Sequence, residues 1–330
     1  MIINMAIKAK NASIELARLT TEKKKNILLD MANSLDKNRK KIIAANNLDV
    51  ENARGVIKDT LIDRLKLNDN RIDLMIESLR QLSSLKDYIG ETISEKTLNN
   101  GLVLTEKRVP FGVIGIIYES RPNVTSDVCG ICLKSSSAVI LKGGKEAINS
   151  NKILVELLTE SCPVKNAFQL VESSDRNITT KMMNLTNYID LIIPRGGESL
   201  IKFVRDNSKI PVIETGTGNC HIYLDEEHNQ EKALKIIINA KTQRPSVCNA
   251  TEKLLIHKNV DEEFIKKIAS ELKGKGVEIL GCNKTQLILG CKSATEQDWH
   301  TEFLDLKIGI KIVDDTEHAI THINKYGTRH

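Results

Sequence analysis

Ala138-Val139-Ile140-Leu141-Lys142-Gly143-Gly144-Lys145 is the stretch whose reading decides the fold. A short apolar run ends in a glycine pair flanked by lysines, and a helical pattern follows over residues 146–158. The same design recurs at Asp190-Leu191-Ile192-Ile193-Pro194-Arg195-Gly196-Gly197, with a helical pattern over residues 198–205. Continuous apolar runs separated by helix-periodic segments are the pattern of parallel strands covered on both faces. A glycine pair at the carboxyl end of such a strand lets backbone N–H groups approach a phosphate at the helix start. Neither turn has the GxGxxG spacing, so the standard dinucleotide fingerprint is absent. One such turn is as well explained by a plain tight turn; two in neighbouring strand–helix units favour a nucleotide.

Working outward, the alternation continues. Strands are expected near residues 113–117, 168–171, 211–213, 221–224, 254–257, 277–280 and 310–313, with a further helix over 230–240. This predicts an α/β fold with largely parallel sheets. Before residue 110 there is no proline and only Gly55, Gly90 and Gly101. Ile27, Met31 and Leu35, then Ile72, Ile76 and Leu79, recur at helical spacing, so this region reads as amphipathic helices. The lysines at 23–25 and the run Arg39-Lys40-Lys41 read as solvated helix faces. Residues 102–108 alternate and read as an exposed strand or ribbon.

At 330 residues the prior is two domains. Apolar residues are 41% and charged residues 28%, which excludes a disordered chain. A net charge of +5 gives little warrant for nucleic-acid binding, and five Phe, five Tyr and one Trp offer few stacking platforms. No apolar stretch reaches the ~18 residues of a membrane span. The N-terminal run is broken by Lys8 and Lys10, so it is a poor secretory signal. Seven cysteines without a dense framework suit reduced thiols. A cytoplasmic protein is expected.

Cys129 and Cys132 form a lone CxxC without a second pair or a nearby histidine, which suits buried core cysteines better than zinc. His318 and His322, spaced i, i+4, read as a helix surface, and no metal site is expected. Gly216-Thr217-Gly218 precedes a strand rather than a helix, so it is no dinucleotide motif; a loop facing substrate or nicotinamide remains open. Cys248 differs from the other thiols. It follows Lys241-Thr242-Gln243-Arg244-Pro245-Ser246-Val247, a polar and basic loop, where a core cysteine would have apolar neighbours. Arg244 can hold an anion and favour thiolate, which makes Cys248 a candidate nucleophile.

Together these segments resemble the γ-glutamyl phosphate reductases of the aldehyde dehydrogenase superfamily. The resemblance rests on Arg108-Val-Pro-Phe-Gly-Val-Ile-Gly-Ile-Ile-Tyr-Glu-Ser-Arg-Pro-Asn-Val-Thr125, on the two glycine turns, and on Pro211-Val-Ile-Glu-Thr-Gly216. The Cys248 loop and Asp298-Trp-His-Thr-Glu-Phe-Leu-Asp305 complete it, collinear over essentially the whole chain. It implies an aldehyde dehydrogenase-like α/β fold: a Rossmann-type NADP-binding domain (1–98 and 110–222), part of an oligomerisation β-ribbon (99–109) and a catalytic domain (223–330). Members of the family continue for several dozen residues further, so that domain is expected to be incomplete here. The implied activity is reduction of L-glutamate 5-phosphate with NADPH to glutamate 5-semialdehyde and phosphate in proline biosynthesis.

By the same resemblance, Cys248 is the catalytic cysteine, Asn123 helps hold the oxyanion, and Glu214 occupies the place of the superfamily glutamate. Lys142 and Lys145, with Gly143, Gly144, Arg195, Gly196 and Gly197, fall to the cofactor, and Glu302 to the nicotinamide ribose. Arg121 and Arg244 are candidates for the substrate's anionic ends. A homo-oligomer is expected, with glutamate 5-kinase as a candidate partner. Competing readings are NAD-linked aldehyde oxidation on the same fold and an inactive scaffold; Glu146, beside Lys142 and Lys145, keeps the first open.

Overall fold

Five helices open the chain: α1 (Ile2–Leu16), α2 (Thr21–Lys37), α3 (Arg39–Ala53), α4 (Asp59–Leu65) and α5 (Asp69–Ser84). Thr20 and Asn68 cap α2 and α5 by accepting the Lys23 and Arg71 amides. Ile27, Met31 and Leu35 of α2, and Ile72, Ile76 and Leu79 of α5, are buried on facing stripes, as their spacing predicts. One lysine of the 23–25 run departs from expectation. Lys24 is buried, pairs with Asp87, and donates to Ser136 Oγ at 3.0 Å.

An antiparallel ribbon follows, β1 (Thr92–Thr97) with β2 (Val103–Lys107), closed through Gly101 at φ +85°. The ribbon therefore begins earlier than residue 99, and β2 finds a partner in β1. Neither strand buries a face, so β1 left no pattern to read.

The computed structural model describes residues 1–57, 59–173, 175–214 and 216–330. It divides into two compact units, Met1–Glu214 and Thr215–His330. The division falls eight residues before the expected 222/223 boundary, because residues 220–224 form a strand that pairs with residues 251–256 of the second unit. Residues 211–213 form no strand, and Val212 makes a single bridge to Ile192. In the first unit β3 (Val113–Tyr118), α6 (Pro122–Lys134), β4 (Ala138–Lys142), α7 (Ile148–Glu160), β5 (Phe168–Leu170), α8 (Arg176–Met182), β6 (Leu191–Arg195) and α9 (Glu198–Asn207) follow in turn. Their parallel sheet runs β5-β4-β3-β6. β3 and β4 are buried along their whole length, as continuous apolar runs require. Cys129 and Cys132 lie buried on α6 in this core, and burial pushes both thiols up, Cys132 to about 12.

The second unit contains β7 (Cys220–Leu224), α10 (Gln230–Thr242), β8 (Thr251–His257), α11 (Glu262–Gly274), β9 (Glu278–Gly281) and α12 (Asn283–Leu289). It ends with β10 (Lys292–Ser293), α13 (Glu296–His300), β11 (Lys307–Val313) and α14 (Thr316–Tyr326). Its sheet, also parallel, runs β10-β9-β11-β8-β7 around a core of Leu254, Ile256, Ile268 and Ile310. His322 of α14 is buried rather than on a helix surface, packed against Trp299 and Tyr326. No helix among the described residues is long and apolar enough to cross a membrane.

Candidate active site

Strand order places the first unit's site. From β3 the chain winds outward through β4 to β5, then returns to lay β6 on the other side of β3. The carboxyl ends of β3 and β6 thus flank a topological switch point, where parallel sheets open a crevice for ligands. Tyr118 pairs with Arg195 there, and the Glu119 amide donates to the Arg195 carbonyl at 3.1 Å. Gly197, N-cap of α9, donates its N–H to Glu119 Oε2 at 3.0 Å. At the β4 turn Glu146 Oε1 accepts the amide and the hydroxyl of Ser120, at 2.7 and 2.8 Å. Side chains at Gly144 or Gly196 would collide with these carboxylates.

The β6 turn therefore takes negative charge, with the Glu119 carboxylate standing where a phosphate oxygen was expected, while the Glu146 carboxylate lies against Gly144 and takes its donors from Ser120. Lys142 Nζ is buried and donates to the Gly143 carbonyl at 3.1 Å. Burial lowers its pKa, and the Glu146 charge pulls the other way. An ammonium with one acceptor among the described residues has donors to spare for an anion. Lys145 is exposed, and Gly143 and Gly144 link it to Lys142. These residues fit a dinucleotide phosphate group. Glu119 and Ser120 were missed by sequence reasoning, although they follow a buried strand directly, which is the signal that could have found them.

The other first-unit candidates sit nearby in sequence. Arg121 is the half-buried N-cap of α6. Asn123, on the first turn of α6, is exposed and donates to Asp127 Oδ2 at 3.2 Å. Glu214 accepts from Arg205 at 3.3 Å through Oε1, while its Oε2 is buried without a partner among the described residues. Thr215, in the string used for the resemblance, lies outside the described residues.

In the second unit Cys248 occupies a turn between α10 and β8 and is half-buried. Its carbonyl accepts the Cys220 thiol at 3.4 Å. Gly218 lies against the same peptide: a Cβ at 218 would collide with the Cys248 carbonyl oxygen and reach 3.0 Å from Cys248 Cα. The Gly218 N–H donates to Glu302 Oε1 at 2.8 Å. Cys248, Gly218 and Glu302 are thus brought together by direct contacts, which gives Gly216-Thr217-Gly218 a place that its motif reading lacked. Asn219 anchors this loop by donating to the Trp299 and Tyr326 carbonyls, at 2.7 and 2.8 Å. Arg244 is exposed, without an ion pair or side-chain hydrogen bond among the described residues. Among those residues no group of three or more His, Cys, Asp or Glu side chains could hold a metal ion.

Comparison with known proteins places this geometry. Residues 2–279 match the aldehyde dehydrogenase family. A relative from Caldanaerobacter subterraneus subsp. tengcongensis, named Gamma-glutamyl phosphate reductase, is 51% identical, covering 98% of this chain and 80% of the relative. One of the same name from Clostridium botulinum is 50% identical with the same coverage. The crystal structure of Gamma-glutamyl phosphate reductase from Thermotoga maritima matches 98% of this chain and 80% of its own at 46% identity, with a TM-score of 0.90. An acetylating aldehyde dehydrogenase from Geobacillus thermoglucosidasius, at 18% identity and a TM-score of 0.68, shares the fold over 98% of this chain and 78% of its own.

Proposed function

Because the chain belongs to the aldehyde dehydrogenase family, and within it to the γ-glutamyl phosphate reductases, we propose that it reduces L-glutamate 5-phosphate to L-glutamate 5-semialdehyde in proline biosynthesis. NADPH is the hydride donor in this reading and Cys248 the nucleophile. The observation that carries it is the 51% identity over 98% of the chain to a relative of that name. Supporting it, the one cysteine with the sequence context of a nucleophile is half-buried in a turn whose peptide lies against Gly218, the residue whose N–H donates to Glu302.

The chemistry follows from the residues. The Cys248 thiolate attacks the acyl carbon, the C–O bond to phosphate breaks, and inorganic phosphate leaves with the electron pair. Asn123 and the Cys248 N–H are the oxyanion donors in this scheme, because preorganised N–H donors stabilise the negative charge that develops on the acyl oxygen. When bound, the cofactor would supply a hydride to the thioester carbon, and the resulting thiohemiacetal expels the Cys248 thiolate to give aldehyde. Lys142 and Lys145 would hold the adenosine phosphate, the two glycine turns the pyrophosphate, and Glu302 the nicotinamide ribose. Arg121 and Arg244 would take the substrate's phosphate and carboxylate through guanidinium forks. No water enters in this direction, so Glu214 need not activate one; its contact with Arg205 suits an anchoring role. Homo-oligomerisation, cytoplasmic residence and delivery of the acyl phosphate by glutamate 5-kinase belong to the same proposal.

NADPH oxidation followed with kinase-generated glutamyl phosphate tests the reading. It predicts NADPH- and acyl-phosphate-dependent turnover with stoichiometric phosphate release. Turnover only with NAD+ and free aldehyde would instead support the oxidative reading, and none with either would support an inactive scaffold.

A further inference from the structure

Adjacent residues of β8, Glu252 and Lys253, are both fully buried, and nothing in the chemistry above uses them. Removing an ammonium and a carboxylate from water costs several kcal/mol per ion, and well-packed apolar side chains often do as well or better. Their contacts indicate what the charge is for. Glu252 Oε1 accepts the Leu304 N–H at 3.2 Å, the Phe303 N–H also donates to this carboxylate, and Oε2 accepts from Lys241 of α10 at 3.3 Å. Lys253 Nζ donates to the Thr301 carbonyl at 2.8 Å and sits 4.2 Å from the centroid of the Phe303 ring. The Lys253 stem passes Gly309, where a Cβ would come within 2.9 Å of Lys253 Cδ and 3.0 Å of Trp299 Cζ3. Only glycine at 309 leaves room for that stem.

Both grips fall on the irregular segment 301–304 between α13 and β11, one on each side of Glu302. Glu302 in turn holds the Gly218 amide beside Cys248. We propose that Glu252 and Lys253 are positioning residues for Glu302, fixing segment 301–304 so that the Glu302 carboxylate is presented to the cofactor in one orientation. This rests on the reading of Glu302 as the nicotinamide-ribose ligand. Bonds from a charged side chain to a peptide group are roughly twice as strong as those from a neutral one, and here they hold the backbone on both sides of Glu302. Burial brings the Lys253 ammonium down to about 8, while Glu252, Asp298 and Glu302 pull it up and Lys241 pushes it down. A cation kept buried at that cost, within the field of the Glu302 carboxylate that accepts the Gly218 N–H, is consistent with an orienting device.

The test is a double-mutant cycle on NADPH affinity, read by fluorescence titration of the 330-residue chain, with Lys253→Met, Glu302→Gln and the double variant. Lys253→Met should weaken binding roughly tenfold, yet less than about twofold in the Glu302→Gln background, because the lysine acts through that carboxylate. Unchanged affinity in Lys253→Met, or effects of the two substitutions that multiply, would overturn the inference. If Glu302→Gln alone leaves NADPH affinity unchanged, the ribose reading falls separately. The positioning claim is then decided by hydrogen exchange of the Gly218 amide in the cofactor-free protein. Faster exchange in Lys253→Met, by roughly tenfold, supports the grip; unchanged exchange refutes it. Should Lys253→Met fail to fold, Phe303→Leu removes only the ring beneath the ammonium, and the same two readouts with the same outcomes apply.

Discussion

Gly218→Ala is the substitution from which the geometry predicts most. The Cβ would collide with the Cys248 carbonyl oxygen and lie 2.5 Å from its carbonyl carbon. Carbon atoms in contact sit about 3.5 Å apart, so the Cys248 carbonyl carbon must retreat by at least about 1 Å, and its oxygen, which lies closer, by more. Misplacement of a reacting group by that distance costs on the order of a hundredfold in rate. Overpacking at this buried residue should also cost roughly 1–3 kcal/mol of stability. The two effects separate experimentally. Thermal melting reports the folded fraction, and rapid-mixing phosphate release without reduced cofactor reports acylation of Cys248 per folded molecule. The expected result is a modestly lower melting temperature with an acylation rate down about a hundredfold. Acylation within about twofold of the parent in a folded Gly218→Ala protein would refute the claim that this contact sets the nucleophile's position.

Other consequences are as direct. Replacing Lys142 and Lys145 by Ala should raise the Michaelis constant for NADPH much more than for NADH, and an equal rise would show that neither lysine reads the 2′-phosphate. Because burial lowers the Lys142 pKa, NADPH binding should weaken with rising pH before an ordinary lysine would lose its proton; Lys142→Ala should abolish that part of the profile. Lys24→Met strands the buried Asp87 carboxylate, whose own burial would raise its pKa but whose bonds from Lys24 and the Ile89 amide hold it low. The loss should be about 3–5 kcal/mol by denaturant titration, and a change under about 1 kcal/mol would count against the pair. Lys253 falls from 10.5 to about 8 on folding, so between those values the unfolded chain holds a proton that the folded chain lacks. Its contribution to stability therefore rises with pH across that window, by at most about 1.4 kcal/mol per unit, and Lys253→Met should remove that slope from the melting profile.

The central strands were legible because burial on both faces demands continuous apolar runs, and β3 and β4 supply them. β8 was read only from Leu254 because Thr251, Glu252 and Lys253 look like solvent-facing residues; their partners come from segment 301–304, about fifty residues away. Lys24 and His322 misled for the same reason, since a buried polar side chain is recognisable only with its partners in view. β1 has no core-facing side, so periodicity could not reveal it. At the candidate site the glycine turns and the Cys248 loop carried their own signal in residue type and order. Glu119 and Ser120 did not, because their contacts depend on β6 and β4 lying on either side of β3, a fact of topology rather than of local sequence.

The central claim, that Cys248 is acylated by glutamyl phosphate, has a direct measurement. The chain is mixed with acyl phosphate made in situ from ATP and glutamate by a kinase, without reduced cofactor, then acid-quenched and analysed by peptide mass spectrometry. The account predicts one glutamyl adduct on the peptide carrying Cys248, lost in Cys248→Ser and discharged when NADPH is added before the quench. Turnover without such an adduct, or an adduct on Cys220 or another thiol that NADPH discharges at the turnover rate, would contradict it.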